Sequence, residues 1–511
     1  MGAGAQPGDQ VVVGPPGMTT TTVATTTSPP GARRGRLVGW ALLGLAGSLG
    51  LVCFGSAIGA TPGRGGVPWW YTVAAGTSFL AHVGFTLSLT AVVGAWVGVG
   101  FEAHAGRLTT SWAWILLALW GIPLLLGIPL FSRDLYSYVA QGQLVHIGLN
   151  PYRASPADLG PGPVLSSVAS VWRHTASPYG PLFVAISRGV AAWFGPSMVA
   201  QIMVYRLVEL AGVVLAMISL PALARQHGAD PGLGLWLGVL SPLALWSFLS
   251  SGHNDGAMLG LLLAGLVMAG RGRLLLGVAL CALAATIKLP ALAGVVFLVA
   301  ADVASRQRGQ RWKASVGPVA VATGVIVGVT IAAGYGWGWL GPAALRIPTQ
   351  LRVLTTPVVS IGTFLWGILH LIGLPWSRHA TVTVVQFAAE LAAGLGVVWL
   401  LLQSGRYHPV RLLGCALLLF VACSPTVWPW YWTWPLAVLA ATGAQRSRAL
   451  AVVAGLAMVV VGAGGTPMLT SADWWVSGPI LLAVLVVVTT GGRWRHLLGP
   501  VGGDRPVVAV S

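Results

Sequence analysis

Three clusters in this chain carry residue types that could do chemistry. The first is Asp134 in SRDLY, directly after the apolar run Trp112 to Phe131. A carboxylate fixed where such a run ends, partly withdrawn from water, can take a proton from a hydroxyl. The second is SSGHNDG, Ser250 to Gly256, which sets His253, Asn254 and Asp255 side by side between two apolar runs. As Asn-Asp-Gly it reads equally as an ordinary polar turn. The third is Lys288 in CALAATIKLPALAG, one of two lysines against 26 arginines, embedded in apolar sequence. An ionisable group there is expensive and usually faces a cavity with a partner. Pro290 breaks the helix two residues later, so Lys288 sits at a helix end. It can hold a phosphate as a compact point charge, or it can simply snorkel to the interface.

The remaining acids are few enough to sort. Of eleven in all, Asp9 and Asp504 lie in tails, Glu102, Asp230 and Asp302 on the arginine-rich side, and Glu209 and Glu390 within apolar runs. Asp134, Asp158, Asp255 and Asp473 then fall on the opposite side. Asp134 has the strongest context of the four. A carboxylate base and a phosphate-binding cation on one membrane face suit transfer of a group from a lipid-borne donor to an acceptor hydroxyl.

The elements that must position these residues are membrane helices. The chain is 56% hydrophobic and 8% charged, with a mean hydropathy of +0.81; soluble domains carry about a quarter charged residues. Clear apolar runs lie at 37–59, 72–100, 112–131, 198–223, 233–250, 315–335, 381–402 and 449–464. With shorter runs between them, about 13–15 spans are expected. A β-barrel would instead show alternating segments of about ten residues. The fold class is therefore all-α and polytopic, and the lipid bilayer is its first partner. Span counting leaves 358–374 unsettled. The run 182–194 reads as a helix against the membrane or partly re-entrant.

The net charge of +17 does not point to nucleic acid, because the basic residues are spread between apolar runs as positive-inside topology requires. Arg33, Arg34 and Arg36 place the N-terminus in the cytoplasm, together with the cluster Arg306, Arg308, Arg311 and Lys313. The expected location is the plasma membrane, with the stretch after the third span outside. Arg206 and Glu209, three apart in one span, read as a structural pair. Cys53, Cys281, Cys415 and Cys423 all lie in apolar runs and read as core residues.

The stretch 132–181 is the longest polar interruption. Six prolines are interleaved there with Tyr136, Asn150, Tyr152, Trp172 and Tyr179, the composition of a stiff, packed loop rather than a linker. Two later segments join it on the outer side. GWGWLGPAALRIPTQLRVLTTP, 336–357, carries Arg346 and Arg352 as further phosphate candidates. SPTVWPWYWTWP, 424–435, includes Trp430 and Tyr431 and reads either as an interfacial belt or as a stacking platform for a sugar or isoprenoid. The chain divides into a Thr- and Pro-rich tail, 1–32, a membrane domain, 33–495, and a C-terminal tail, 496–511.

Four motifs in order, RDLYSYVAQG from Arg133, GLNPY from Gly148, SPYGPLF from Ser177 and GHNDG from Gly252, resemble the polyprenol-phosphate-mannose-dependent α-1,6-mannosyltransferases. These GT-C enzymes build the mannan backbone of actinobacterial lipomannan and lipoarabinomannan. The similarity spans about Arg33 to Arg495. It implies a GT-C-type bundle with a long extracytoplasmic catalytic loop after the third span. It also implies a polyprenyl-phosphate-mannose donor, a mannan glycolipid acceptor, and inversion at the anomeric carbon. Asp134 corresponds to the loop acid proposed as base. Many GT-C members carry two acids there; Leu135 and Tyr136 follow here, which favours a mechanism with no metal and no cofactor. On this reading Lys288, Arg346 and Arg352 hold donor phosphate, while Tyr136, Asn150, Tyr152, Tyr179, His253, Asn254, Asp255, Trp430 and Tyr431 line the sugar and acceptor sites.

Two other classes compete. A secondary transporter or lipid flippase would show paired polar residues in two matching halves, and no internal repeat is visible. A purely structural envelope protein would leave the lysine, the outer acid and the proline-stiffened loop without a common reason.

Overall fold

In hydrocarbon every backbone polar group must be satisfied within the segment, so apolar runs of this length fold as helices. A computed structural model of the chain describes residues 30–55, 79–195, 197–341 and 356–443. Among the described residues, five helices are long and apolar enough to cross a membrane: Gly35–Phe54, Phe79–His104, Met198–Gln226, Arg308–Ala333 and Arg378–Leu402. Seven shorter apolar helices fill in between them, among them Thr110–Leu126, Asp255–Gly270 and Leu274–Ala285. The described residues form an all-α, multi-pass membrane protein. The run 449–464 and both tails lie wholly or mostly outside the described residues.

One expected span is broken. Residues 233–250 form two helices, Pro231–Gly238 and Pro242–Ser250, bent by 50°. The break has a local cause: Pro242 cannot continue the first helix, and the Ser241 hydroxyl caps the second by accepting from the Ala244 N–H at 3.3 Å. The second helix unwinds into a π-helical turn, Leu245–Ser250, of the kind that collects at functional sites. The run 358–374 forms the helix Pro357–Leu371, which packs against Arg378–Leu402.

Close backbone approach holds the centre together. The helices Met198–Gln226 and Asp255–Gly270 cross at Gly212 and Gly260; a Cβ at Gly212 would meet the Ala257 backbone at 2.5 Å. Small residues at such crossings let membrane helices pack by direct contact. Trp96 and Trp236 stack at 4.9 Å, and each indole N–H donates to the other's carbonyl, at 3.0 and 2.8 Å. This reciprocal pair locks the second span to the first half of the broken one.

The stretch 132–181 is packed, as its composition suggests, but much of it is helical rather than loop. It opens with the helix Asp134–His146, of which all but Gln143 and His146 are buried, and continues through a 3-10 turn, Pro156–Leu159, and two short helices, Pro163–Ser167 and Ser170–Arg173. Its end is stapled down where the Gly180 and Leu182 N–H groups donate to Ile287 and Thr286, both at 3.0 Å. A side chain at Gly180 would run into the Thr286 carbonyl. The helix Pro181–Phe194 packs along Asp134–His146.

Candidate active site

Arg206 sets the frame. Its guanidinium, 1% exposed, donates to the carbonyls of Leu125 and Gly127 at 2.7 Å and of Ser250 at 2.9 Å. It thereby joins the chain leading to Asp134 to the chain leading to His253. The join is reinforced by Ser250, whose hydroxyl accepts from the Leu130 N–H at 3.1 Å and donates to the Ile128 carbonyl at 3.2 Å, and by Ser251, which donates to the Leu130 carbonyl. Glu209 serves a different helix end, accepting from the Ala257 N–H at 2.9 Å in the first turn of Asp255–Gly270.

Two unusual backbone positions then aim the acids. Phe131 has φ +65°, a left-handed conformation that costs a bulky residue about 1–3 kcal/mol. Its ring is wedged edge-on against Phe85 and Trp246, with centroids at 5.8 and 5.4 Å. Three residues later Asp134 starts its helix. Gly252, at φ +61°, leaves room for Leu135, whose Cδ2 would lie 2.6 Å from a Cβ at 252. The glycine in GHNDG is thus what allows His253 to approach Asp134.

Asp134 is 6% exposed, and each of its oxygens faces a neighbour. The Trp172 indole N–H donates to Oδ1 at 3.1 Å. His253 Nδ1 lies 3.3 Å from Oδ2 without the alignment of a hydrogen bond. The imidazole stacks on Trp430 at 3.6 Å and 18°, Trp430 stacks on Trp428 at 5.3 Å, and Trp428 meets Trp172 at 6.5 Å. Trp172, His253, Trp430 and Trp428 form a circuit that closes through the Asp134 carboxylate.

A second buried cluster adjoins it. Lys288 Nζ donates to both oxygens of Asp255 at 2.9 Å, and the Trp434 indole N–H donates to Oδ1 at 2.6 Å. The ammonium sits 4.5 Å from the Tyr431 ring centroid and 5.3 Å from that of Trp434, where the ring quadrupoles attract a cation. Burial, then Asp255 and Asp134 in that order, push the Tyr431 phenol well above its ordinary range. Burial and the Asp134 charge do the same to Tyr179, so both remain hydroxyl donors. The segment Trp428–Trp434 therefore lines both carboxylates: Trp428 and Trp430 on the Asp134 side, Tyr431 and Trp434 on the Asp255 side.

The other residues singled out from sequence are placed as follows. Tyr136 is buried in the Asp134 helix. Tyr179 packs edge-on to Tyr138 at 5.2 Å, and the Tyr138 hydroxyl accepts from the Asn254 N–H at 3.4 Å. The Asn254 side chain is fully buried, and neither amide atom has a hydrogen-bond partner. Asn150 and Tyr152 belong to a separate cluster. Asn150 accepts from the Tyr152 N–H at 2.9 Å and donates to the Tyr335 carbonyl at 3.2 Å, and the Tyr152 ring packs with Val145, Val184 and Trp339. Asp158 caps its own turn, accepting from the Ser155 N–H at 2.7 Å, which holds its carboxyl below the usual range. Arg346, Arg352 and Asp473 lie outside the described residues. Sequence reasoning missed Trp172, Trp428 and Trp434 as direct members of the site; their only signal was aromatic density. Among the described residues, no group of three His, Cys, Asp or Glu side chains is placed to hold a metal.

Comparison with known proteins decides the class. Residues 41–304 match the model of the alpha-(1->6)-mannopyranosyltransferase N-terminal domain, and residues 356–491 match that of the MptB C-terminal domain. The chain belongs to the alpha-(1->6)-mannopyranosyltransferase family. A probable alpha-(1->6)-mannopyranosyltransferase of Mycolicibacterium smegmatis is 34% identical over 406 residues, 71% of this chain and 72% of that one. Alpha-(1->6)-mannopyranosyltransferase A of Mycobacterium tuberculosis is 32% identical over 379 residues, 72% of each. The N-terminal match takes in Asp134, Trp172, His253, Asp255 and Lys288, and the C-terminal match takes in the tryptophan segment. The protein is thus a membrane-embedded glycosyltransferase that moves mannose from a sugar donor to an acceptor, and the transporter and structural-protein readings give way to it.

Proposed function

We propose that this mannosyltransferase takes mannose from polyprenyl-phosphate-mannose and adds it to an α-1,6-mannan of the lipomannan type at the extracytoplasmic face, with inversion and with Asp134 as general base. The observation that carries the proposal is the setting of Asp134. It is a buried carboxylate at the start of a helix, with one oxygen fixed by Trp172 and the other beside His253, inside an aromatic wall of the kind that stacks on sugar faces. A base so held needs no reorganisation when the acceptor hydroxyl attacks, and general-base help of this kind is worth roughly 10²- to 10⁴-fold. The transition state is oxocarbenium-like, so orientation carries much of the remaining effect.

A lipid donor accounts for a catalytic cluster embedded among membrane helices. Lys288 uses two of its three N–H donors on Asp255; the third is available to a donor phosphate, with Arg346 and Arg352 as further candidates. Asn254, whose buried amide lacks partners, suits a sugar hydroxyl. The extracytoplasmic setting rests on the basic residues flanking the first span and at 306–313, which favour the cytoplasm. No metal or cofactor enters the proposal.

The donor is tested in membranes containing the protein, supplied with mannose radiolabelled either in polyprenyl-phosphate-mannose or in a nucleotide-linked form, with lipid-donor synthesis blocked. Transfer to a short α-1,6-mannoside from the lipid donor alone is expected. Transfer from the nucleotide sugar alone would overturn the donor assignment.

A further inference from the structure

The mannosyltransferase reading gives Asp134 a proton to accept and leaves open where that proton goes. Asp134 must shed it before the next turnover. Trp172 donates to Oδ1, which leaves Oδ2 as the oxygen that takes and passes on the proton. Among the described residues, the titratable side chain at ion-pair distance from it is His253, with Nδ1 at 3.3 Å from Oδ2; the Tyr138, Tyr179 and Tyr431 phenols also feel its charge. His253 Nδ1 is buried and has no aligned hydrogen bond, which is costly for a polar atom. A single proton between Oδ2 and Nδ1 would satisfy both atoms. The imidazole is held in place by Trp430, on whose face it stacks at 3.6 Å.

We infer that His253 is the second proton carrier of this site, receiving at Nδ1 the proton that Asp134 takes from the acceptor hydroxyl. The inference rests on Asp134 acting as base. In the transfer, the acceptor O–H bond breaks and its oxygen forms the new bond to the anomeric carbon. The bond from that carbon to the donor phosphate oxygen breaks, and its electron pair leaves with the phosphate. The proton passes through Oδ2 to Nδ1. Asp134 is again a carboxylate, beside an imidazolium; His253 is itself 1% exposed, so the imidazolium gives up its proton when the products leave and water enters the site before the next turnover. Trp430, read from sequence as a sugar platform, acts here as the floor under the imidazole.

The test separates this role from simple bracing. In His253→Asn the amide nitrogen occupies the position of Nδ1 and can donate to Asp134, but it cannot accept a proton. Purified wild type, His253→Asn, Asp134→Asn and the double variant are compared for mannose transfer from polyprenyl-phosphate-mannose, with folding checked by thermal unfolding. The relay predicts that His253→Asn loses about 10²-fold in kcat with little change in KM, and that the double variant is no worse than Asp134→Asn, because the two residues act as a unit. A His253→Asn enzyme near wild-type kcat, beside an inactive Asp134→Asn, would overturn the relay and leave the base assignment standing. An active Asp134→Asn would overturn the base assignment itself.

Discussion

Lys288 and Asp255, 33 residues apart in sequence, form a two-pronged ion pair at 2.9 Å to each carboxylate oxygen, with Asp255 fully buried. Removing one member of such a pair leaves the other charge uncompensated, which costs far more than replacing both. Lys288→Met should destabilise the protein by about 3–5 kcal/mol, and adding Asp255→Asn should restore most of the loss. Thermal unfolding in detergent reads both effects; a Lys288→Met protein that melts with wild type would contradict the pairing.

Arg206 serves three backbone carbonyls with a planar fork, and a lysine cannot copy that geometry. Arg206→Lys should therefore fail to rescue. It should strand buried carbonyls at a cost of about 1–3 kcal/mol each and slacken the join between the Asp134 and His253 segments. The expected result is a lowered melting temperature together with a reduced kcat, and a fully active Arg206→Lys enzyme would argue against the frame described above.

Trp172 is a positioning residue for Asp134. Trp172→Phe keeps a ring beside Trp428 but removes the N–H donor to Oδ1. A hydrogen bond to a charged group is worth about 1.5–3 kcal/mol, so kcat should fall about 10- to 100-fold while donor KM changes little. If donor KM rises and kcat holds, Trp172 binds substrate rather than Asp134.

His227 meets His408 edge-on at 4.0 Å just beyond the helix Met198–Gln226. Burial first, then His408, pulls the His227 imidazole down from 6.5 to about 4. Between those values the unfolded chain binds a proton that the folded chain refuses, so this contribution to stability is present above about pH 6.5 and is lost as pH falls through the window. Melting temperature should drop across it, and His227→Gln should flatten part of the slope. An identical slope in the variant would assign the pH dependence elsewhere.

How much was legible in the sequence follows from the physics of each feature. Apolar length is a local signal, so helices such as Met198–Gln226 lay where the composition put them. The broken span at Val239–Ser241 was also signalled, by Ser-Pro inside an apolar run, but hydropathy averages over that punctuation. Asp134 stood out because acids are scarce in this chain. Its partners did not: Trp172 lies 38 residues away and Trp430 far beyond that, and tryptophan in a membrane protein has a common interfacial explanation. Lys288 and Asp255 were each conspicuous as ionisable groups in apolar surroundings, yet their pairing depends on the 286–288 turn meeting the start of the Asp255 helix. Phe131 at positive φ had no signal, since strain of that kind is imposed by the packed surroundings.

The central claim is that Asp134 is the base for mannose transfer from a lipid-linked donor. The most direct measurement is transfer of radiolabelled mannose from polyprenyl-phosphate-mannose to a short α-1,6-mannoside by membranes holding equal amounts of wild type or Asp134→Ala. Transfer by wild type, with loss of about 10²-fold or more in Asp134→Ala and retained donor binding, is the predicted result. Transfer by Asp134→Ala at near wild-type rates would contradict it.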